Sequence, residues 1–252
     1  MPTYDYPFNE RIRILLRLED LFIKVQHHAA GADEFSHHCA LLVLFQILDL
    51  GDRSELKTDL LQELDRQKMV MDGLRGNPAI AEEILNEVIG EIEKTAASLR
   101  GMVGRIGQPL RENEWLMGVK QRAAMPGGAC EFDVPSYHYW LGLPVESRQA
   151  NIEAWLAPLL PLHDALRIIL HILRGSGKMT RYLAPQGAFQ QMLGGAKPAQ
   201  MLRVTLPDEA TCFPEVSANK YAINIRFNCL DGTQKPRPCE ADVTFDLTLC
   251  NL

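Results

Sequence analysis

The chain has 252 residues, 46% hydrophobic and 23% charged, which suits a soluble protein burying one large core or two modest ones. Its net charge of −6 argues against a dedicated nucleic-acid binder, and no apolar run approaches the roughly 20 residues of a membrane helix. Six cysteines (Cys39, Cys130, Cys212, Cys229, Cys239, Cys250) form no C-x-x-C pair and read as reduced thiols of a cytoplasmic protein.

Pro2, Tyr4, Asp5 and Tyr6 open the chain, not a basic and then apolar secretion signal. Asn9 is placed to cap a first helix, in which Leu15, Leu18, Phe22 and Val25 recur at spacings of three and four and share one face. A second helix is expected over 33–50 with Gly51 as its stop. A third starts near Ser54 and turns Leu56, Leu60, Leu61, Leu64 and Met71 inward. After the break at Gly76, Asn77 and Pro78, a fourth carries Ile80, Ile84, Leu85, Val88, Ile89 and Ile92 on one stripe. The short connection predicts an antiparallel αα-hairpin, and ten acids against five bases over 55–94 make its polar faces acidic.

Glycines 101, 104 and 107 loosen the chain before a basic helix over 111–123. After Met125-Pro126-Gly127-Gly128, the alternation of Cys130, Phe132 and Val134 with Glu131 and Asp133 predicts a short strand. Ser147 is placed to cap a helix through Trp155, and a last helix spans 163–174 before Gly175 and Gly177. The period then changes to two. Leu202, Val204 and Leu206 alternate with polar residues, as do Tyr221, Ile223, Ile225, Phe227 and Cys229, and Val243, Phe245, Leu247 and Leu249. Asp231-Gly232 with Pro236 and Pro238 is expected to join the last two strands in a loose hairpin. One apolar face per strand predicts an antiparallel sheet with one wet side. The reading is α+β: a mainly helical, bundle-like domain at 9–177, whose strand-like segment near 129–143 could join the sheet, and an antiparallel β-rich domain at 178–252.

Charge is unevenly spread. No Asp or Glu occurs over 165–207, which holds Arg167, Arg174, Lys178, Arg181, Lys197 and Arg203; that +6 leaves −12 for the rest of a chain of net −6. The stretch fits either a site for an anionic partner or a solvated loop region, and composition does not choose between them.

No catalytic motif stands out. Around Gly175-Ser176-Gly177-Lys178, Ile172 occupies a required phosphate-loop glycine and Met179 the magnesium-binding hydroxyl position. His27-His28 and His37-His38-Cys39 are the best metal candidates, but adjacent helical residues point about 100° apart and no H-x-x-x-H spacing is present. There is no G-x-S-x-G elbow, and Cys130 beside Glu131 has no activating base in sequence. The residues therefore point to a binding protein, with no enzyme activity, metal or cofactor expected.

Three segments resemble the ZapD family of bacterial cell division proteins: 4–22 (YDYPFNERIRILLRLEDLF), 58–67 (TDLLQELDRQ) and 105–141 (RIGQPLRENEWLMGVKQRAAMPGGACEFDVPSYHYWL). The FNERIR–LRLEDLF and QR–PGG–C–FD–P elements are the specific ones, and their order and the chain length fit the family end to end. The resemblance implies a helical domain joined to a β-rich one, a cytoplasmic homodimer at the mid-cell division site, and recognition of the C-terminal tail of FtsZ to cross-link its filaments. It further implies basic residues around a tail-binding pocket. Arg53 and Arg226 match two such positions; a third falls on Ala222, where Lys220 could substitute. Neither nucleic acid nor membrane is an implied partner. A cytoplasmic adaptor for another anionic partner, using a basic patch, is the alternative reading.

Overall fold

Asn9 caps the first helix as its position predicts. Its side-chain oxygen accepts the Ile12 amide at 2.9 Å, and α1 runs over Glu10–Ala29. The computed structural model describes residues 1–53, 55–194, 199–219, 221–232 and 234–252. It divides the chain into one unit of residues 16–169 and another of residues 1–15 with 170–252. Helices come first and antiparallel sheets follow, so the fold is α+β.

In the helical unit, Leu18, Phe22 and Val25 of α1 are buried, each side chain contributing about 1.5–3 kcal/mol on burial. Helix α2 (Glu34–Gly51) is capped by Asp33, whose carboxylate accepts the Ser36 amide at 2.9 Å. Gly51 does not stop this helix; it is buried within the last turn, without a left-handed backbone, and Asp52 follows as C-cap. Helices α3 (Leu56–Asp72) and α4 (Glu82–Gly101) form the expected antiparallel hairpin, and Ser54 lies outside the described residues. Arg100–Asp65, Lys68–Glu93 and Arg75–Asn86 contacts run in opposite order along the two helices. Leu60, Leu64, Leu85, Ile89 and Ile92 are buried, but Ile84 is 62% exposed. It precedes Leu85 by one residue, about 100° around the helix, which turns it off the buried stripe.

Helices α5 (Gln108–Arg111) and α6 (Glu114–Ala123) replace the single expected helix, because Asn113 interrupts and caps the second by accepting the Leu116 amide at 2.9 Å. The Cys130–Val134 alternation does not make a strand. The Asp133 and Val134 amides both bond the Cys130 carbonyl, at 3.1 and 2.9 Å, so the segment curls locally, with Phe132 exposed. Pro135 then opens α7 (Pro135–Leu141), a position where the missing amide costs nothing. The turn before it explains Pro126-Gly127-Gly128: Gly127 is left-handed (φ 71°), and a Cβ on Gly128 would lie 2.4 Å from the Arg122 carbonyl. Helix α8 (Val145–Leu156) begins after Pro144, ahead of Ser147. A 3-10 turn leads from it into α9 (Leu160–Gly175). By length and composition alone Val145–Gly175 could cross a membrane, yet its apolar Ile152, Leu162, Leu166 and Ile169 are core residues.

The second unit contains two sheets where one was expected. Strands β1 (Thr3–Pro7), β2 (Met179–Ala184), β4 (Met201–Thr205) and β8 (Val243–Cys250) form an antiparallel sheet in the order β1-β4-β8-β2. Strands β3 (Ala188–Met192), β6 (Ala222–Cys229) and β5 (Cys212–Ala218) form the other in that order, with β7 (Arg237–Pro238) also pairing with β6. Thus β6 and β8 do not form a hairpin; the chain between them changes sheets. The inner faces pack on each other, with Phe245 of β8 5.0 Å from Phe227 and 5.1 Å from Phe189 between ring centres. Residues 3–7 belong to this unit because each pairs with β4, from Thr3 opposite Thr205 to Pro7 opposite Met201.

Candidate partner-binding site

In the helical unit, α1 and α2 each carry a second stripe beside their buried one. Arg17, Asp20 and Leu21 lie at i, i+3 and i+4 on α1; Gln46, Asp49 and Leu50 do so on α2, and Arg53 follows at i+7. Together these seven residues line a groove of about 470 Å³, within the size range of small-ligand pockets. Leu21 and Leu50 are half-buried and give it an apolar floor, while Arg17 and Arg53 are exposed.

The two acids in the groove are each held by a lysine. Lys24 Nζ lies 2.5 Å from Asp20, and Lys120 Nζ of α6 lies 2.7 Å from Asp49. No ion pair engages Arg17 among the described residues. Arg17 is exposed in a groove whose floor holds the half-buried Leu21 and Leu50, a combination suited to a carboxylate flanked by an apolar side chain.

Arg226 belongs to the other unit. It is exposed on the outer face of β6, while Ile223, Ile225 and Phe227 are buried on the inner face. Glu215 of β5 and Ala188 of β3 are its cross-strand neighbours. Ala222 and Asn224 share its face, Ala222 being half-buried. Lys220 lies outside the described residues.

His37, His38 and Ser176 have structural partners. His37 is buried, and its Nδ1 accepts from Arg148 Nε at 2.8 Å. The side chain of Arg148 also reaches the carbonyls of Ala32 and Leu141. His38 Nδ1 lies 2.8 Å from the Tyr137 hydroxyl, and burial pushes the pKa of this imidazole down and that of the phenol up. Among the described residues, no three His, Cys, Asp or Glu side chains gather as a metal site. The Gly175-Ser176-Gly177 segment ends α9: Ser176 Oγ donates to the Leu173 carbonyl at 2.7 Å and accepts the Asn251 amide at 2.9 Å. It offers a phosphate no helix N-terminus.

Most bases of the acid-free stretch find acids from elsewhere in the chain. Arg167 pairs with Glu91, Arg174 with Asp5 (3.0 Å), Arg203 with the same Asp5 (2.7 Å) and Arg181 with Asp246 (3.0 Å). Lys178 is exposed, and Lys197 lies outside the described residues.

Arg17, Leu21 and Leu50 carry a signal in sequence that the family motif does not: on each of two neighbouring helices, an i, i+3, i+4 stripe sets one leucine beside polar residues. Sequence alone did not reveal an aromatic cavity of about 450 Å³ whose walls include Trp115, Tyr139, Trp140 and Trp155. Trp115 Nε1 donates to Ser136 Oγ at 3.0 Å and Trp140 Nε1 to Asn151 Oδ1 at 2.9 Å, so both indole N–H groups have partners within the protein.

A family model described as "ZapD: Cell division protein" matches residues 16–226. The chain belongs to the ZapD family. Relatives named "Cell division protein ZapD" include one from Dechloromonas aromatica (strain RCB), 54% identical across the whole of both chains. Those from Aromatoleum aromaticum (99% of this chain, 97% of the relative) and Azoarcus sp. (strain BH72) (the whole of both) are each 48% identical. A role in cell division follows. The family match takes in both Arg53 and Arg226, and every residue of the α1–α2 groove.

Proposed function

We propose that this ZapD-family protein is a non-enzymatic cytoplasmic division factor that binds the C-terminal tail of FtsZ and, as a homodimer, cross-links FtsZ filaments at the division ring. The observation that carries this reading is the α1–α2 groove, where Arg17 and Arg53 flank the half-buried Leu21 and Leu50. Such a groove captures a flexible peptide by pairing its carboxylates and burying its few apolar side chains. Arg226 is a third exposed base, on β6 of the other unit. A protein of net −6 needs local positive charge to hold an acidic partner against their mean repulsion. Weak single contacts suffice in a dimer, because engagement of one tail raises the effective concentration of the second.

The alternative, an adaptor using the basic stretch over 165–207, is disfavoured by the ion pairs of Arg167, Arg174, Arg181 and Arg203. Co-sedimentation with FtsZ filaments, intact and lacking the C-terminal tail, tests the proposal. Pelleting with intact filaments alone is expected; equal pelleting with both overturns it.

A further inference from the structure

Three of the six cysteines meet at one end of the second sheet. Cys212 opens β5 directly opposite Cys229, the last residue of β6. Cys239 follows β7 and is fixed there by its own backbone, its amide donating to the Phe227 carbonyl at 2.8 Å. Its Sγ lies 2.7 Å from that of Cys229. This is well inside the separation of two sulfur atoms merely in van der Waals contact, and the pair needs little movement to reach the ~2.05 Å of a covalent bond. Both residues are partly exposed, so a small oxidant can reach them. Ordinary core packing explains Cys250, which is fully buried, but does not require two thiols at this distance at the rim of a sheet.

We propose that Cys229 and Cys239 form a reversible disulfide, closed by exchange with a small-molecule disulfide such as oxidised glutathione. One protein thiolate attacks the glutathione disulfide, forming a mixed disulfide and releasing one glutathione thiolate. The second protein thiol loses its proton and attacks the protein sulfur of that mixed bond, releasing the second glutathione. Two electrons pass from the cysteine sulfurs to the oxidant, and the two thiol protons end on the two glutathiones. The bond would tie the segment after β7 to the end of β6, three residues beyond Arg226. The Cys229 thiol is held above its ordinary pKa, first by its hydrogen bond with Cys239 and then by burial, and Cys212 is raised by burial. Closure is therefore slow at neutral pH and speeds up as the pH rises, because the thiolate is the nucleophile.

The test equilibrates the native full-length protein with excess oxidised glutathione at about pH 9, above the ordinary thiol pKa. It then alkylates with N-ethylmaleimide in denaturant and reads the intact mass. Where the reduced control carries six maleimides, the parent should lose two from Cys229 and Cys239 with no glutathione retained at either, and peptide mapping should join Cys229 to Cys239. Cys212→Ser should also lose two thiols, whereas Cys239→Ser should form no internal bond. If a variant folds poorly, the map of the parent decides alone. Six maleimides on the oxidised parent, glutathione retained at Cys229 or Cys239 as a stable mixed disulfide, or a bond mapped from Cys212 to Cys239 would each overturn the assignment.

Discussion

The carboxylate of Asp5 on β1 holds two arginines, with Arg174 Nε 3.0 Å from one oxygen and Arg203 Nε 2.7 Å from the other. The Arg174 contact is a directed hydrogen bond; that of Arg203 is an ion pair without hydrogen-bond alignment. Asp5 is 15% exposed and the arginines about a quarter, so screening by water is incomplete. Replacing Asp5 by alanine leaves two partly buried cations without this partner. Urea unfolding should report a loss of about 2 kcal/mol. Asp208→Ala, which removes the exposed partner of the Met1 amino group, should stay within about 0.5 kcal/mol of the parent.

Charge reversal in the groove and, separately, at Arg226 distinguishes site from scaffold. Arg17→Glu, Arg53→Glu and Arg226→Glu all alter exposed side chains, and each should shift folding stability by less than about 0.5 kcal/mol. Binding of a fluorescent FtsZ-tail peptide should weaken roughly tenfold or more for each, equivalent to about 1.4 kcal/mol. Added salt should weaken parent binding in the same direction by screening the attraction. Unchanged anisotropy curves for Arg17→Glu and Arg53→Glu would move the site away from α1 and α2.

Mass in solution tests the dimer. The exposed Met69 and Val70 of α3 and Ile84 of α4 give the hairpin apolar surface available for association. Light scattering at micromolar concentration should give about twice the 28.3 kDa chain mass. A monomer would remove the cross-linking part of the proposed mechanism.

His38 should make stability depend on acid. Burial holds its folded pKa below the ordinary 6.5, so below that pH the unfolded chain takes up a proton that the folded chain resists. Stability contributed by the neutral ring is present above pH 6.5 and is lost as pH falls through the lowered folded value. The urea midpoint should therefore drop between pH 7.5 and 5.5, and His38→Asn, which keeps an acceptor for Tyr137 without a titrating ring, should show a smaller drop. Identical slopes in parent and variant would exclude His38 as the source.

Local sequence chemistry determined the elements whose signals are local. Asn9 capped α1, the three-and-four spacing of Leu18, Phe22 and Val25 chose its buried face, and Ile223, Ile225 and Phe227 marked the inner side of β6. Gly127 and Gly128 fixed a turn through steric limits that act within a few residues. Where a strand finds its partner is a different matter, because alternation identifies a face and not a neighbour. The pairing of β1 with β4, the separation of β6 from β8 into different sheets, and the curling of Cys130–Val134 depended on contacts or competing backbone bonds that spacing does not encode. The candidate site divides in the same way. Arg53 and Arg226 were reached through the family motif, but only helix packing set Arg17, Leu21 and Leu50 beside Arg53. Only the folded chain brought Asp5 to Arg174 and Arg203, converting an acid-free run of sequence into paired charge.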